Sequence, residues 1–456
     1  RGWSYGASVV DPRTGEIIKG QVSLGSLRVR QDYMIAQGLL SPFKEEPLTE
    51  DQMLKMSLER LEQLSAHEVG HTLGLMHNYA ASTVNRSSVM DYPHPVIKLN
   101  AAGNIDLSDA YDHKIGEWDK VAITWGYSDL RNESNESGAL NKILSNAYAK
   151  GLRYISDRDA RAAGGLHPDA HLWDNGNDVL SEYENVMKVR TKALSQFGMN
   201  TIRKGTPMAF LEDVMVPVYF YHRYQIEAVT KLVGGMHYTY ALKGDGQVIT
   251  APLSKEVQQK AMQAIVKSID PAFLELPSGV AALIPPRPAG YEFNRELFKK
   301  KTGLAFDQLS PAEAATDLVF AFLFHPERMN RLYQHEMSGG YGLSEMLTAV
   351  INSTFKSSRK SGMQAAIQLQ TEQMLMTYLL ASSVSNELSY PTKSAVGAAI
   401  TSLKKYLEIQ KKNSADQQYI AHIEQLLLRA KEPEKATPAV YLDAPPGAPI
   451  GCEDMN

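Results

Sequence analysis

Cysteine is almost absent: Cys452 stands alone in 456 residues. That excludes an internal disulfide and any cysteine ligand set for zinc, and it fits a reducing compartment and many bacterial envelope proteins equally. Long apolar runs are missing too. Residues 374–383, MLMTYLLASS, fall well short of the ~20 needed to span a bilayer and read as a buried helical segment. Charge of one sign is not in excess, with 47 Lys and Arg against 51 Asp and Glu and a net charge of −4. No basic footprint for nucleic acid follows from that balance. No signal peptide opens the chain, and no period suggests a solenoid. What remains is an ordinary globular composition, 43% hydrophobic and 21% charged, long enough for two or three domains.

Against these absences one stretch stands out. Residues 65–78 read SAHEVGHTLGLMHN and contain His67-Glu68-x-x-His71-x-x-Gly74-x-x-His77. On a helix, His67 and His71 lie one turn apart on one face, the spacing that lets two imidazoles grip one Zn²⁺. Glu68 projects beside them toward the open side of the metal. Gly74 tolerates the positive φ that ends a helix, so the chain can turn and bring His77 back as a third ligand. A fourth position left for water is the mark of a catalytic site. A buried helix with incidental histidines is the competing reading, but three histidines and a glutamate make a poor core face without a partner.

The residues after the third histidine, SSVMDY at 87–92, resemble the Met-turn of the metzincins, the zinc peptidases named for that methionine. With GASVVDPRTGEIIKG, HEVGHTLGLMHN, SSVMDYP and IGEWDKVAITWGY, the chain resembles a family of large bacterial met-zincin metalloproteases with a helical C-terminal region. The resemblance implies that Met90 lies beneath the metal. It also implies that Tyr92 is the metal-proximal tyrosine, donating a hydrogen bond to the oxyanion or ligating zinc at rest. Asn78 falls where metzincin branches differ. Metzincin catalytic domains carry a helix and strands ahead of the point where Arg1 stands. The expectation is therefore that an N-terminal part with any export signal precedes Arg1, or that a processed form begins there. The implied location is extracytoplasmic: periplasmic, envelope-associated or secreted.

The implied fold class is α+β: a metzincin-like catalytic domain over residues 1–130, a mostly helical region over 131–432 and a proline-rich tail over 433–456. Residues 3–10 and 16–24 are β-rich around the turn signal DPRTGE and predict a hairpin. In metzincins an edge strand pairs main chain to main chain with substrate. Residues 21–27 or the hairpin partner are the candidates, unless the hairpin only builds the sheet. A short helix is predicted over 28–40, then breaks at Pro42 and Pro47. A capping box at residues 49–52 opens the zinc helix, which runs to about Leu73. Leu54, Leu58, Leu61, Leu64 and Val69 predict its core-facing stripe.

A further helix over 111–126 is predicted to close the lower half of the catalytic domain. His94 and His113 lie near the motif in sequence and are rival ligands, or else surface residues or supports of the ligands. RNESNESG at 131–138 marks the boundary. Asp157, Asp159, Asp174 and Asp178 offer hard oxygen ligands for a Ca²⁺, though their spacing fits no EF-hand and such residues also simply make loops. Helices are predicted over 182–196, 216–232, 255–269, 311–324, 343–355, 363–385, 392–411 and 415–431. A small hairpin is predicted at 233–247 and a proline-rich loop at 270–295. His222 and His237 read as core histidines.

The functional expectation is a zinc-dependent endopeptidase with His67, His71 and His77 as ligands, Glu68 as general base and a peptide or protein substrate. Two alternatives stand beside it: a zinc amidohydrolase acting on cell-wall or other non-protein amides, and an inactive zinc-binding scaffold.

Overall fold

The computed structural model describes residues 4–43 and 50–436. Thr49 of the expected capping box, Pro47, Cys452 and all but the first residues of the proline-rich tail lie outside them. The order begins with strands β1 (Tyr5–Val10) and β2 (Ile17–Ser23), then helices α1 (Ser26–Leu40) and α2 (Glu50–Thr72). Short strands β3 (Lys98–Leu99) and β4 (Ile105–Asp106) lead to α3 (Glu117–Tyr127), α4 (Glu136–Ala149) and the single turn α5 (Asp157–Ala160). Then come α6 (Val179–Gln196), α7 (Leu211–Tyr219), α8 (Arg223–Leu232), β5 (Met236–Tyr238) and β6 (Thr250–Pro252). The rest is helical: α9 (Lys255–Lys267), α10 (Pro271–Leu274), α11 (Ser310–Leu323), α12 (Pro326–Met337), α13 (Leu343–Thr354), α14 (Gly362–Val384), α15 (Tyr390–Asn413) and α16 (Gln417–Arg429). The expected α+β class, with few short strands and a mostly helical C-terminal region, is what the fold has. No described helix is long and apolar enough to cross a membrane.

The predicted N-terminal hairpin forms. β1 and β2 are antiparallel from Tyr5 opposite Ser23 to Val10 opposite Ile17, with an irregularity at Val9. Residues 26 and 27 belong to α1 rather than to the second strand. The hairpin sits directly on the end of α2, and glycine makes that approach feasible. A Cβ on Gly6 would fall 2.0 Å from the Glu68 carbonyl oxygen, and one on Gly20 would fall 2.8 Å from Thr72 Cβ. Ser8 Oγ donates to the Thr72 carbonyl at 2.9 Å, which closes the joint.

Most of the predicted core stripe of α2 faces away from the core: Leu54, Leu58 and Val69 are exposed and Leu61 is half-buried, while Leu64 is buried as expected. The buried face instead carries Met53, Met56, Ser57, Arg60, Leu64 and His67, which repeat at the same helical spacing one residue out of step. That face is partly polar, and each of its polar side chains makes a hydrogen bond, though Arg60 Nε has none. Ser57 Oγ donates to the Met53 carbonyl at 2.9 Å, and Arg60 donates to Gln63. Met53 and Met56 share a core with Ala36 and Leu39 of α1, Val186, Val189 and Ala193 of α6, and Val218 of α7.

Elsewhere the helices match the predicted stretches to within a few residues, with instructive exceptions. The segment expected as one helix over 216–232 is two, because the chain turns at residues 220–222, where Phe220, Tyr221 and His222 are all buried. The helix expected from Tyr111 begins at Glu117, since Tyr111 is drawn inward to donate from its hydroxyl to Asp32 at 2.8 Å. Helices α4 and α12 and the single turns α5 and α10 had no predicted counterpart, and α10 opens the stretch 270–295 that was expected as a loop, where Asp270 caps it by accepting the Ala272 amide. The small hairpin pairs Met236–Tyr238 with residues 250–252, farther along the chain than expected.

Candidate metal centre

Helix α2 delivers His67 and His71, and the turn after it delivers His77. Gly74 takes a φ of +82°, the left-handed conformation that glycine adopts without strain. The turn is tied by the Gly74 amide donating to the His71 carbonyl at 3.0 Å and the Leu75 amide to the Gly70 carbonyl at 3.0 Å. The three rings converge as expected. His71 Nε2 stands 3.1 Å from His67 Nε2 and 3.2 Å from His77 Nε2. A tetrahedral ion with metal–nitrogen bonds of about 2.0–2.1 Å holds its ligand atoms about 3.3 Å apart. The spacing therefore suits Zn²⁺ closely.

The opposite ring nitrogens decide which lone pairs face inward. His67 Nδ1 donates to the Val89 carbonyl at 2.7 Å, and His71 Nδ1 donates to the Leu75 carbonyl at 2.9 Å. His77 Nδ1 donates to Asp157, 2.8 Å from Oδ2 and 3.0 Å from Oδ1. A carbonyl or carboxylate can only accept, so each Nδ1 carries its proton and each Nε2 presents a lone pair. Burial, reinforced by His71 and His77, holds His67 well below the ordinary imidazole range. Burial and His77 lower His71 in the same direction. Neutral imidazoles are the form that binds metal.

Each support is itself held. The Val89 carbonyl also accepts Gln63 Nε2 at 3.0 Å. The turn that carries Val89 and Met90 hangs from Asp119 at the start of α3. Asp119 accepts Ser88 Oγ at 2.5 Å, the Val89 amide at 2.8 Å and the Gly116 amide at 2.7 Å. Met90 is buried and presses on the zinc helix, where a Cβ at Gly70 would fall 2.3 Å from its sulfur. Asp157 arrives from the far side because residues 78–79 and 153–155 are laced together. Asn78 Nδ2 donates to the Arg153 carbonyl at 2.9 Å, and the Tyr79 amide donates to the Ile155 carbonyl at 2.7 Å. Burial opposes ionisation of Asp157, but hydrogen bonds from His77 and Arg161 outweigh it and hold the carboxyl below the usual range.

Tyr92 packs against the triad, with its ring centroid 5.4 Å from that of His67 and 5.0 Å from that of His77. Its hydroxyl accepts from Arg161 Nη2 at 3.2 Å, and the same nitrogen donates to Tyr79 at 2.9 Å. Glu68 is fully buried beside the histidines, and Asn78 is buried with its backbone amide on the Met90 carbonyl at 2.9 Å.

A family model described as Met-zincin matches residues 49–362. The chain belongs to the Met-zincin family. No curated protein and no solved structure matches it. Membership implies the zinc metallopeptidase class in general and zinc as the metal. The Met-zincin match begins at the zinc helix and runs through residue 157, so it spans the ligand triad and its carboxylate support.

Other candidates fall elsewhere. His94 is buried against Tyr221 and pushed down to about 3 by burial, then by Arg28 and Arg223. His113 is on the surface, 3.5 Å from Glu62. Neither joins the triad. The four aspartates weighed for calcium form no common group among the described residues. Asp157 holds His77, Asp159 accepts the hydroxyls of Tyr238 and Tyr240, and Asp178 caps α6. Asp174 is buried and pushed up first by burial. His222 is a core histidine packed on Phe273, as expected, whereas His237 is half-exposed on β5.

Sequence reasoning did not assign Asp157, Arg161, Tyr79 and Asp119 to this site. Asp157 is 80 residues from His77, so no local spacing could have paired them. For Asp119 a local clue existed, an acidic residue in the first turn of a helix, and its carboxylate accepts the Gly116 amide there.

Proposed function

We propose that this Met-zincin is a metalloendopeptidase that hydrolyses peptide bonds with His67, His71 and His77 as the zinc ligands. The observation that carries the reading is the convergence of three Nε2 atoms, those of His67 and His77 lying 3.1 and 3.2 Å from that of His71, each fixed by an acceptor on its Nδ1. Bound there, Zn²⁺ acidifies water and polarises a carbonyl as a Lewis acid. Glu68, one residue after the first ligand, takes the proton of the attacking water and returns it to the leaving amine. Tyr92, steadied by Arg161, donates its hydroxyl toward the oxygen where negative charge develops. Met90 shapes the floor under the ligands. Asp157 keeps His77 in the tautomer that points Nε2 inward and raises its basicity. The hairpin β1–β2, seated on the zinc helix beside Glu68 and His71, is the element offered to an extended substrate by main-chain pairing. The catalytic region proposed for residues 1–130 thus takes Asp157 and Arg161 from the segment that follows it.

The test is digestion of an unmodified peptide library, with and without a chelator. Chelator-sensitive internal cleavage is expected. Glu68→Gln should retain zinc and lose turnover by roughly 10²–10⁴-fold. Zinc-loaded protein that cleaves no peptide would favour the scaffold reading. Near wild-type turnover in the glutamine variant would remove Glu68 as the base.

A further inference from the structure

A second group of metal-ligating side chains lies outside the triad. His167, Asp169 and His237 each offer a ligand atom, and these atoms lie within 4.8 Å of one another. His167 and Asp169 come from the loop between α5 and α6, and His237 comes from β5. His237 Nδ1 is 3.5 Å from Asp169 Oδ2, and the rings of His167 and His237 meet edge to face with centroids 5.8 Å apart. His167 is buried, while Asp169 and His237 are half-exposed, so a hydrated ion has access to the group.

The group is built rather than incidental. His167 Nε2 donates to the Tyr238 carbonyl at 3.1 Å, which leaves Nδ1 with a lone pair, occupied here only by the Asp169 amide at 3.2 Å. This repeats the device seen in the triad, where a carbonyl fixes one ring nitrogen and frees the other. The loop is pinned by two buried cations and one half-buried one: Arg328 Nη2 on the Gly165 carbonyl at 3.2 Å, Lys231 Nζ on the Ala170 carbonyl at 2.8 Å and the half-buried Arg331 Nη2 on the Gly164 carbonyl at 2.8 Å. The strand is tied to the loop by the Met236 amide on the Leu166 carbonyl at 2.9 Å. Both ligand-bearing segments are therefore held in register before any ion arrives.

We propose that His167, Asp169 and His237 form a second site for a divalent transition metal, which staples the β5–β6 hairpin to the segment that carries Asp157. Two imidazoles and one carboxylate suit Zn²⁺, Co²⁺ or Ni²⁺, whereas Ca²⁺ and Mg²⁺ require oxygen ligands. His237 Nδ1 and Asp169 Oδ2 stand 3.5 Å apart, against 3.1 and 3.2 Å from His71 Nε2 to its two partners in the triad. Two of its three ligands are half-exposed and it offers two imidazoles rather than three, so the site fills after the first.

The test is metal stoichiometry of the full chain without an affinity tag. Metal-free protein is titrated with Zn²⁺ against a chromophoric chelator, and the bound metal is counted by elemental analysis. Two equivalents of unequal affinity are expected. His237→Ala should weaken the looser one by on the order of 100-fold and leave the tighter one in place, since one of three ligands is lost. Asp169→Asn should act in the same direction. His71→Ala should remove the tighter equivalent and spare the looser. Saturation of the wild-type chain at a single equivalent overturns the proposal. So does a looser equivalent that survives both His237→Ala and Asp169→Asn.

Discussion

The space around the metal centre and the space inside the distal helices are filled in opposite ways. Beneath the zinc helix, buried charges answer one another. Arg28 donates to Asp32 at 2.5 Å, Tyr111 donates to Asp32 at 2.8 Å, and Asp119 accepts three donors at the Met90 turn. In the distal region the cluster is apolar, with Leu323, Leu343, Met346, Leu375, Leu379, Val396 and Leu426 among its members. Burying a charge is costly even when it is paired, whereas burying leucine stabilises. The contrast implies a division of labour: the polar interior fixes where side chains point, and the apolar interior supplies the free energy that keeps the chain folded.

The widest separation should come from the apolar side. Leu379→Ala, at a fully buried position of α14, should cost about 2–5 kcal/mol of stability. Zinc affinity of the folded protein should not change. Urea midpoints and zinc competition measured on the same preparation check both halves. An equal loss of zinc affinity would mean that the two interiors are not separable.

Glu182 sharpens the comparison by its pH dependence. It lies on α6, and burial pushes its carboxyl up to about 7. The folded pKa lies above the ordinary unfolded value of about 4.3, so the folded state holds the proton more tightly. That contribution is fully present below about pH 4 and is lost as pH rises through about 7. Glu182→Gln, which cannot ionise, should gain on wild type across this window by on the order of 1–3 kcal/mol. Unfolding curves at several pH values test this; a difference that stays flat would show Glu182 to be solvated.

On the polar side, Asp157→Asn should lower zinc affinity by about 10–100-fold, or ~1.4–2.7 kcal/mol. Stability of the metal-free protein should change less, because Asp157 lies at the site's edge and is partly exposed. A chelator competition assay reads the first quantity and a metal-free thermal melt the second.

How much of this was legible in the sequence follows the same division. The triad and Gly74 were legible because the spacing of a helix and its closing turn is written locally, and Met90 and Tyr92 were placed beside them by the resemblance of SSVMDY to a Met-turn. The distal helices were legible because an apolar stripe repeats at helical spacing. The polar scaffold was not. Its pairs join residues far apart in the chain, as His77 joins Asp157 and Asp32 joins Tyr111. An aspartate that supports a ligand looks, in sequence, like an aspartate in a loop. Asp157 and Asp159 were accordingly weighed for calcium.

The zinc helix shows the same failure at its smallest scale, and it supplies the finest test. Two stripes on α2 satisfy helical spacing, one through Leu54 and Leu58 and one through Met56 and Arg60. Apolarity alone favours the first, yet Leu58 is 51% exposed and Arg60 is 1% exposed. The polar stripe wins because Ser57, Arg60 and Gln63 each find a hydrogen-bond partner and His67 must reach the metal centre. Leu58→Lys should therefore shift stability by no more than about 0.5 kcal/mol, as surface substitutions do. Had the leucine stripe faced the core, the same change would bury an unpaired ammonium and unfold the helix from its support. An unfolding free energy that falls by several kcal/mol would place Leu58 inside and reverse the orientation on which the comparison depends.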